Sequence, residues 1–155
     1  MKTLLYIYIL TLCATIISAC ASKSPAETGN GETTDTSLQE IESCVGREEW
    51  ETARIKAENV YAAERGRLSP LQAAKLTTVY ISLTSEPGIG FEQFYNYALR
   101  IVELHDYAMA KDSSLVSNYF EIVGGGKMIQ EAYDNCKYII STKKEIGNDS
   151  TIIFN

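Results

Sequence analysis

Glycine and proline cut this chain into segments of helical length, and that punctuation limits what it can fold into. Gly46, Gly66, the run Pro87-Gly88-Ile89-Gly90 and the run Gly124-Gly125-Gly126 each stand between stretches whose apolar residues recur every three or four positions. That spacing puts the apolar residues of each stretch on one face of a helix. Glycine tolerates the left-handed conformation with which a helix commonly ends. The chain therefore reads as an all-α domain of five or six helices, folded as antiparallel hairpins stacked into a short solenoid or a bundle.

The individual helices follow from their start signals. Ser37-Leu38-Gln39-Glu40 spells a capping box, in which the serine hydroxyl and the glutamate each satisfy an orphan amide, so a first helix is expected from Ser37 to about Val45, with Gly46 as its terminator. A second, over 47–65, carries Trp50, Ala53, Ala57, Val60 and Tyr61 on one face. Ser69-Pro70-Leu71-Gln72 starts a third with Ser69 as cap and Pro70 in the first turn. That helix is apolar on two faces and leaves only Lys75, Thr78 and Ser82 as a polar stripe, so it belongs between neighbours. A fourth helix is expected over 91–110, with Glu92, Asn96, Arg100 and Glu103 toward solvent. Asp112-Ser113-Ser114 caps a short fifth, which stops at the glycine run, and a sixth covers 127–142 with Ile129, Ala132, Tyr133, Cys136 and Ile140 inward.

Ahead of this body lies a different kind of segment. Lys2 precedes an apolar run from Leu4 to Ile17, and small Ser18 and Ala19 precede Cys20. The run is shorter than the about 20 apolar residues that a membrane span requires, and its pattern is that of a processed export signal. Ile17-Ser18-Ala19-Cys20 resembles the lipobox of bacterial lipoproteins. The resemblance implies cleavage between Ala19 and Cys20 and acylation of Cys20, which becomes the new N-terminus. Ala21 stands where an aspartate would imply inner-membrane retention, so the implied location is the outer membrane, facing the periplasm. Each buried acyl methylene contributes about 0.8 kcal/mol, and two or more chains anchor stably. The resemblance thus implies a signal peptide over 1–19 and, over 20–36, a lipidated cysteine with a polar tether of about 20 to 25 Å on random-coil scaling. The helical domain is expected over 37–142, with a polar C-terminal tail over 143–155 whose Ile152-Ile153-Phe154 either docks on the helices or forms a short strand.

Removal of 1–19 takes away Lys2 and no acid, so the 14 basic side chains become 13 against 20 acidic ones, a net charge of −7. Nucleic acid is excluded as an expected partner, because displacing phosphate counterions requires clustered cations and the only adjacent basic pair is Lys143-Lys144. Of four cysteines, Cys13 leaves with the signal and Cys20 takes lipid. Cys44 and Cys136 remain, and they either form a disulfide in an oxidising compartment or pack as small buried hydrophobes. A bridge would close a loop of roughly 90 residues and contribute up to about 4 kcal/mol. With no CxxC pair and one histidine, no metal and no cofactor is expected, since structural zinc needs four clustered N or S ligands.

A weak internal repeat is present: Gly46 precedes Trp50, Ala53 and Ala57 at the offsets at which Gly90 precedes Phe94, Tyr97 and Ile101. On these residues, together with Ala73, Leu76, Tyr80 and Leu83, the stretch 38–110 resembles tetratricopeptide repeats, which implies stacked hairpins with a surface for a partner's extended segment. It departs from that pattern in its longer period and in Thr77 beside Leu76. The layout also resembles small helical lipoproteins of gut-type Bacteroidetes.

Candidate chemistry is sparse. His105 falls on the row Phe94, Ala98, Ile101, His105, the inward face, and Asp106 points about 100° away around the helix, so His105 is read as a core residue. A hydrolase would depend on it, and none is expected. Gly124-Gly125-Gly126-Lys127 lacks the first glycine and the final Ser or Thr of a phosphate loop and is read as a turn. Glu48, Glu49 and Glu51 are read as acids complementing a helix N-terminus. Most of the eight tyrosines of the mature chain, including Tyr61, Tyr80, Tyr97, Tyr119 and Tyr133, fall on apolar stripes; Tyr95, Tyr97 and Tyr107 are the candidates to reach a partner, with core packing the favoured reading. The expected function is a non-catalytic protein-binding or scaffold module of the cell envelope, held to the membrane through its lipid and engaging an envelope protein. The alternative is a small-ligand or cell-wall binder, which a closed tyrosine-lined pocket would favour over an open groove.

Overall fold

The structure, a computed structural model, describes residues 31–149, with side chains described over 33–143. Cys20, the Ala19–Cys20 junction and the Ile152–Phe154 segment lie outside the described residues. Among those described, the chain is all-α: α1 (Gly31–Gly46), α2 (Trp50–Glu64), α3 (Pro70–Leu83), α4 (Phe91–Gly124) and α5 (Gly126–Asp149). None of these helices is long and apolar enough to cross a membrane.

α3 is the centre of the molecule. It packs against α1, α2, α4 and α5, and Ala73, Ala74, Leu76, Thr77, Val79, Tyr80 and Leu83 are buried around all of it but the polar stripe. Its start is the capping box expected from sequence: Gln72 N–H donates to Ser69 Oγ (3.2 Å) and Ser69 N–H to Gln72 Oε1 (3.0 Å), with Pro70 in the first turn. The narrow polar stripe is used rather than solvated, since Lys75 faces Asp35 of α1 (3.6 Å) and Thr78 meets the Tyr119 hydroxyl (3.4 Å).

Several boundaries differ from the sequence reading. α1 begins at least six residues before Ser37, so residues 31–36 belong to a helix and not to the tether. Ser37 does not cap: its hydroxyl donates back to the Thr33 carbonyl (3.0 Å), the ordinary arrangement of a serine inside a helix. Thr34 is buried, and with Leu38, Ile41 and Cys44 it extends the inward stripe by a turn. At the other end of the body, α5 continues beyond Thr142 through Asp149, so residues 143–149 are helical. The turn after α1 is also built differently. Its left-handed residue is Glu48 (φ 60°), not Gly46, and α2 starts only at Trp50. The Arg47 guanidinium holds this turn, donating to both Glu49 carboxylate oxygens (2.7 and 3.0 Å) and to Ser43 Oγ (2.6 Å). The repeat offsets therefore differ in structural phase: a helix starts four residues after Gly46 but immediately after Gly90.

α4 bends sharply at Asp112, whose backbone is extended (φ −157°, ψ 85°). Asp112 Oδ1 accepts from Leu115 N–H (3.0 Å), an N-cap that starts a second arm, as the Asp112-Ser113-Ser114 motif predicts. This arm folds the chain over so that Val116 and Phe120 are buried, and after Gly125 (φ 70°) α5 returns along α4. Glu92 and Lys143 (2.9 Å) pair where α5 reaches the start of α4.

Candidate functional site

Two places on this scaffold bring polar chemistry together. The first is a groove of about 270 Å³ between α2 and α4. α2 supplies Arg54 and Glu58 one turn apart; α4 supplies Gln93, Asn96, Tyr97 and Arg100, also at three- and four-residue steps. Side chains at those spacings share a helix face. Arg100 lies over the Tyr61 ring, 4.0 Å from its centroid, and its Nη2 is 3.6 Å from Glu58 Oε2, while its Nε is buried without a hydrogen-bond partner.

Of the tyrosines only Tyr97 lines the groove, and it belongs to a buried cluster behind it. Tyr61 meets Tyr80 edge-on (6.3 Å, 89°) and Tyr80 meets Tyr97 (5.7 Å). The Tyr80 hydroxyl donates to Glu58 (3.0 Å), the Tyr61 hydroxyl to Glu103, and Gln93 donates to the Tyr97 hydroxyl (2.7 Å). Burial, reinforced by Glu58, pushes the Tyr80 phenol well above its usual pKa, so it remains a donor. The groove thus presents two guanidinium groups against one carboxylate, on a chain whose net charge is −6. Such a surface suits a carboxylate, which guanidinium geometry recognises well.

The tyrosines singled out from sequence are not brought together. Tyr97 is a core residue, 2% exposed, with only its hydroxyl at the groove edge. Tyr107 is a tie: its hydroxyl donates to the Leu68 carbonyl (2.9 Å), fixing the loop before α3. Tyr95 is half-buried, beside Phe91 and under the Lys143 ammonium, 3.9 Å from its ring. Tyr95 and Tyr97 are two positions apart, about 200° around the helix, so they cannot share a face. The groove is open and only Tyr97 of the tyrosines lines it; Tyr61, Tyr80 and Tyr97 pack as core beside it.

The second place is the elbow of α4. His105 is 7% exposed and stacked between Tyr133 (4.1 Å) and Phe120 (5.6 Å). Its Nδ1 has no hydrogen-bond partner, with Asp106 Oδ1 standing 3.7 Å away. Desolvation lowers its pKa, and the Asp106 carboxylate opposes that shift. It lines a cavity of about 160 Å³, whose walls also include the Ser117 hydroxyl and the Glu121 carboxylate. A nucleophile–base pair requires a hydrogen bond from hydroxyl to imidazole; none joins Ser117 and His105 among the described residues.

Cys44 and Cys136 are both buried free thiols, so the disulfide weighed from sequence is not formed. Cys44 lies on α1, which packs on α2 and α3, whereas Cys136 lies on α5, which packs chiefly on α4. Burial pushes the Cys136 thiol up to about 11. Gly124–Lys127 is a helix-to-helix turn, as read. Among the described residues no group of three or more His, Cys, Asp or Glu is placed to hold a metal ion.

The groove was not legible as a site beforehand. By its place on the helix Arg100 belongs to the solvent side, yet it leans over Tyr61 of α2. The available signal was a pair of matched i, i+4 couples, Arg54 with Glu58 and Asn96 with Arg100, on helices separated by one other. Comparison with protein-family models, with curated proteins and with solved structures gives no match for this chain.

Proposed function

We propose that this chain is a lipid-anchored, non-catalytic binding module of the bacterial envelope, tethered through Cys20 to the outer membrane facing the periplasm, which holds an acidic segment of a partner protein in the α2–α4 groove. The observation that carries the reading is the open groove itself: two arginines and an amide pair line it together beside the Tyr97 hydroxyl, while the rings of Tyr61, Tyr80 and Tyr97 are committed to the core. A solvent-open, polar, net-positive groove suits an extended peptide better than a small molecule, which favours enclosed apolar space.

The anchor rests on the sequence Ile17-Ser18-Ala19-Cys20. With α1 described from Gly31, residues 21–30 span at most about 35 Å however they are arranged, so the groove works close to a membrane surface. Two measurements test the reading. Metabolic labelling with an alkyne fatty acid is expected to mark the wild type and not Cys20→Ala. A photo-crosslinking amino acid at Asn96, in cells, is expected to yield a discrete protein adduct that disappears with Arg54→Glu plus Arg100→Glu. Labelling that persists in Cys20→Ala would remove the anchor, and adducts identical to those from a site at Lys127 would remove the groove.

A further inference from the structure

The cavity at the elbow of α4 is independent of the α2–α4 groove. About 160 Å³ is enough for one six-membered ring, since a dry cavity of about 150 Å³ holds benzene. Its wall is divided by chemistry. Met109, Phe120 and Ile129 give an apolar surface, and Gln130 and Glu121 give a polar one. Glu121 is the one carboxylate of the lining; it makes no ion pair among the described residues, and its carboxylate lies against Gly126, where a Cβ would stand 2.3 Å from Oε1. A glycine at that position leaves room for the carboxylate at the cavity wall.

His105 is part of the same wall. Its side chain is 8% exposed, lines the cavity, and has a buried nitrogen with no partner. That nitrogen is directed toward Asp106, which is not part of the lining, so the imidazole gives the cavity its ring and not a hydrogen-bonding atom. The walls therefore ask for a flat apolar body and a cationic end. A carboxylate-bearing ligand would meet Glu121 as a like charge.

We propose that the elbow cavity binds a small aromatic amine, its ring against Phe120 and Met109 and its ammonium on the Glu121 carboxylate. A bond of this kind is charge-assisted, and its loss weakens binding by about tenfold or more. The partner groove plays no part, so Arg54 and Arg100 variants leave amine binding unchanged.

Full-length protein in detergent micelles, titrated with tyramine, tests this directly. His105 is the only histidine, so its ring C–H resonances give an unambiguous proton NMR readout of occupancy. A saturable shift is expected with tyramine and not with 3-(4-hydroxyphenyl)propanoate, which keeps the phenol and reverses the charge. Glu121→Gln, at an exposed position, is expected to weaken tyramine about tenfold or more, and Ser117→Phe, also at an exposed position, to block the cavity with unchanged circular dichroism. Should Ser117→Phe disturb folding, Glu121→Gln decides alone. Equal binding of the propanoate, wild-type affinity in Glu121→Gln, or no shift of the His105 signals at millimolar tyramine would each overturn the assignment.

Discussion

The His105 imidazole lies face to face with the Tyr133 ring at 4.1 Å, and the hydroxyl of that same tyrosine donates to Asp106 Oδ1 at 2.6 Å. The tyrosine thus covers the imidazole and occupies the carboxylate nearest to it. Burial holds His105 below its ordinary pKa; Asp106 and Asp134 favour its proton, and Lys137 disfavours it. The unfolded imidazole takes up a proton near about 6.5, and the folded one only at lower pH. Its contribution to stability is therefore complete above about pH 6.5 and is lost as pH falls from there through the folded pKa. Urea midpoints are expected to drop between about pH 7 and about pH 5, with a smaller drop in His105→Phe, which retains the stack. A midpoint that rises on acidification in the wild type would contradict a neutral, desolvated imidazole.

Arg100 over the Tyr61 ring ties α4 to α2 across the top of the tyrosine cluster. Arg100→Ala is expected to lower unfolding free energy by about 1 to 2 kcal/mol, combining the lost cation–π contact with the packing of its stem. Arg100→Lys retains charge without the planar fork and should fall between. Denaturant titration monitored through Trp50, the only tryptophan, reads both.

The turn after α1 offers a test of backbone conformation. A non-glycine residue at positive φ costs about 1 kcal/mol, so Glu48→Gly is expected to stabilise by up to about 1 kcal/mol. Gly46 has open space where a Cβ would stand and no positive φ, so Gly46→Ala is expected to be neutral or stabilising by a few tenths to about 1 kcal/mol. Were Gly46 the left-handed residue, as its position in the sequence suggests, Gly46→Ala would destabilise. Thermal melts of the two variants distinguish the turns.

The bend in α4 depends on one side chain at its start. Asp112→Ala removes the acceptor for the Leu115 amide and should cost about 1 kcal/mol, with Asp112→Asn close to wild type. Hydrogen exchange is expected to accelerate at the amides of residues 113–116 in the alanine variant before any other region responds.

Cys44 and Cys136 are buried and unpaired. In the native state at neutral pH both are expected to resist alkylation, Cys136 especially because its thiolate is scarce with a pKa raised to about 11. Melting temperatures with and without reductant should coincide. Mass spectrometry finding a Cys44–Cys136 bridge, or rapid native alkylation, would contradict the packing described.

Periodicity carried the helical content, and local side-chain chemistry carried several of the joints. Ser69 with Gln72, Asp112 with Leu115, and the glycine turn at 124–126 all appear where residue types predicted them, because each is satisfied within a few positions of itself. The same local reasoning failed at Ser37, since a capping box is a valid cap only if no helix precedes it; the buried Thr34 and the Asp35–Lys75 pair continue the helix upstream. It failed again for Arg100, expected toward solvent, while Tyr97 took the core place that its apolar stripe indicates and not the partner-facing one. The ring was absorbed by Tyr80, and the guanidinium found Tyr61 and Glu58 on another helix.

What residue order alone determined is the fold class, the centrality of α3, and the inward place of His105, all properties of which face of a helix a side chain occupies. What tertiary structure decided is which faces meet: the groove of Arg54, Glu58 and Arg100, the imidazole between Phe120 and Tyr133, and the separation of two thiols that composition invited to pair. A helix fixes angles around its own axis within a few residues, whereas the distance between two helices depends on the packing of everything between them.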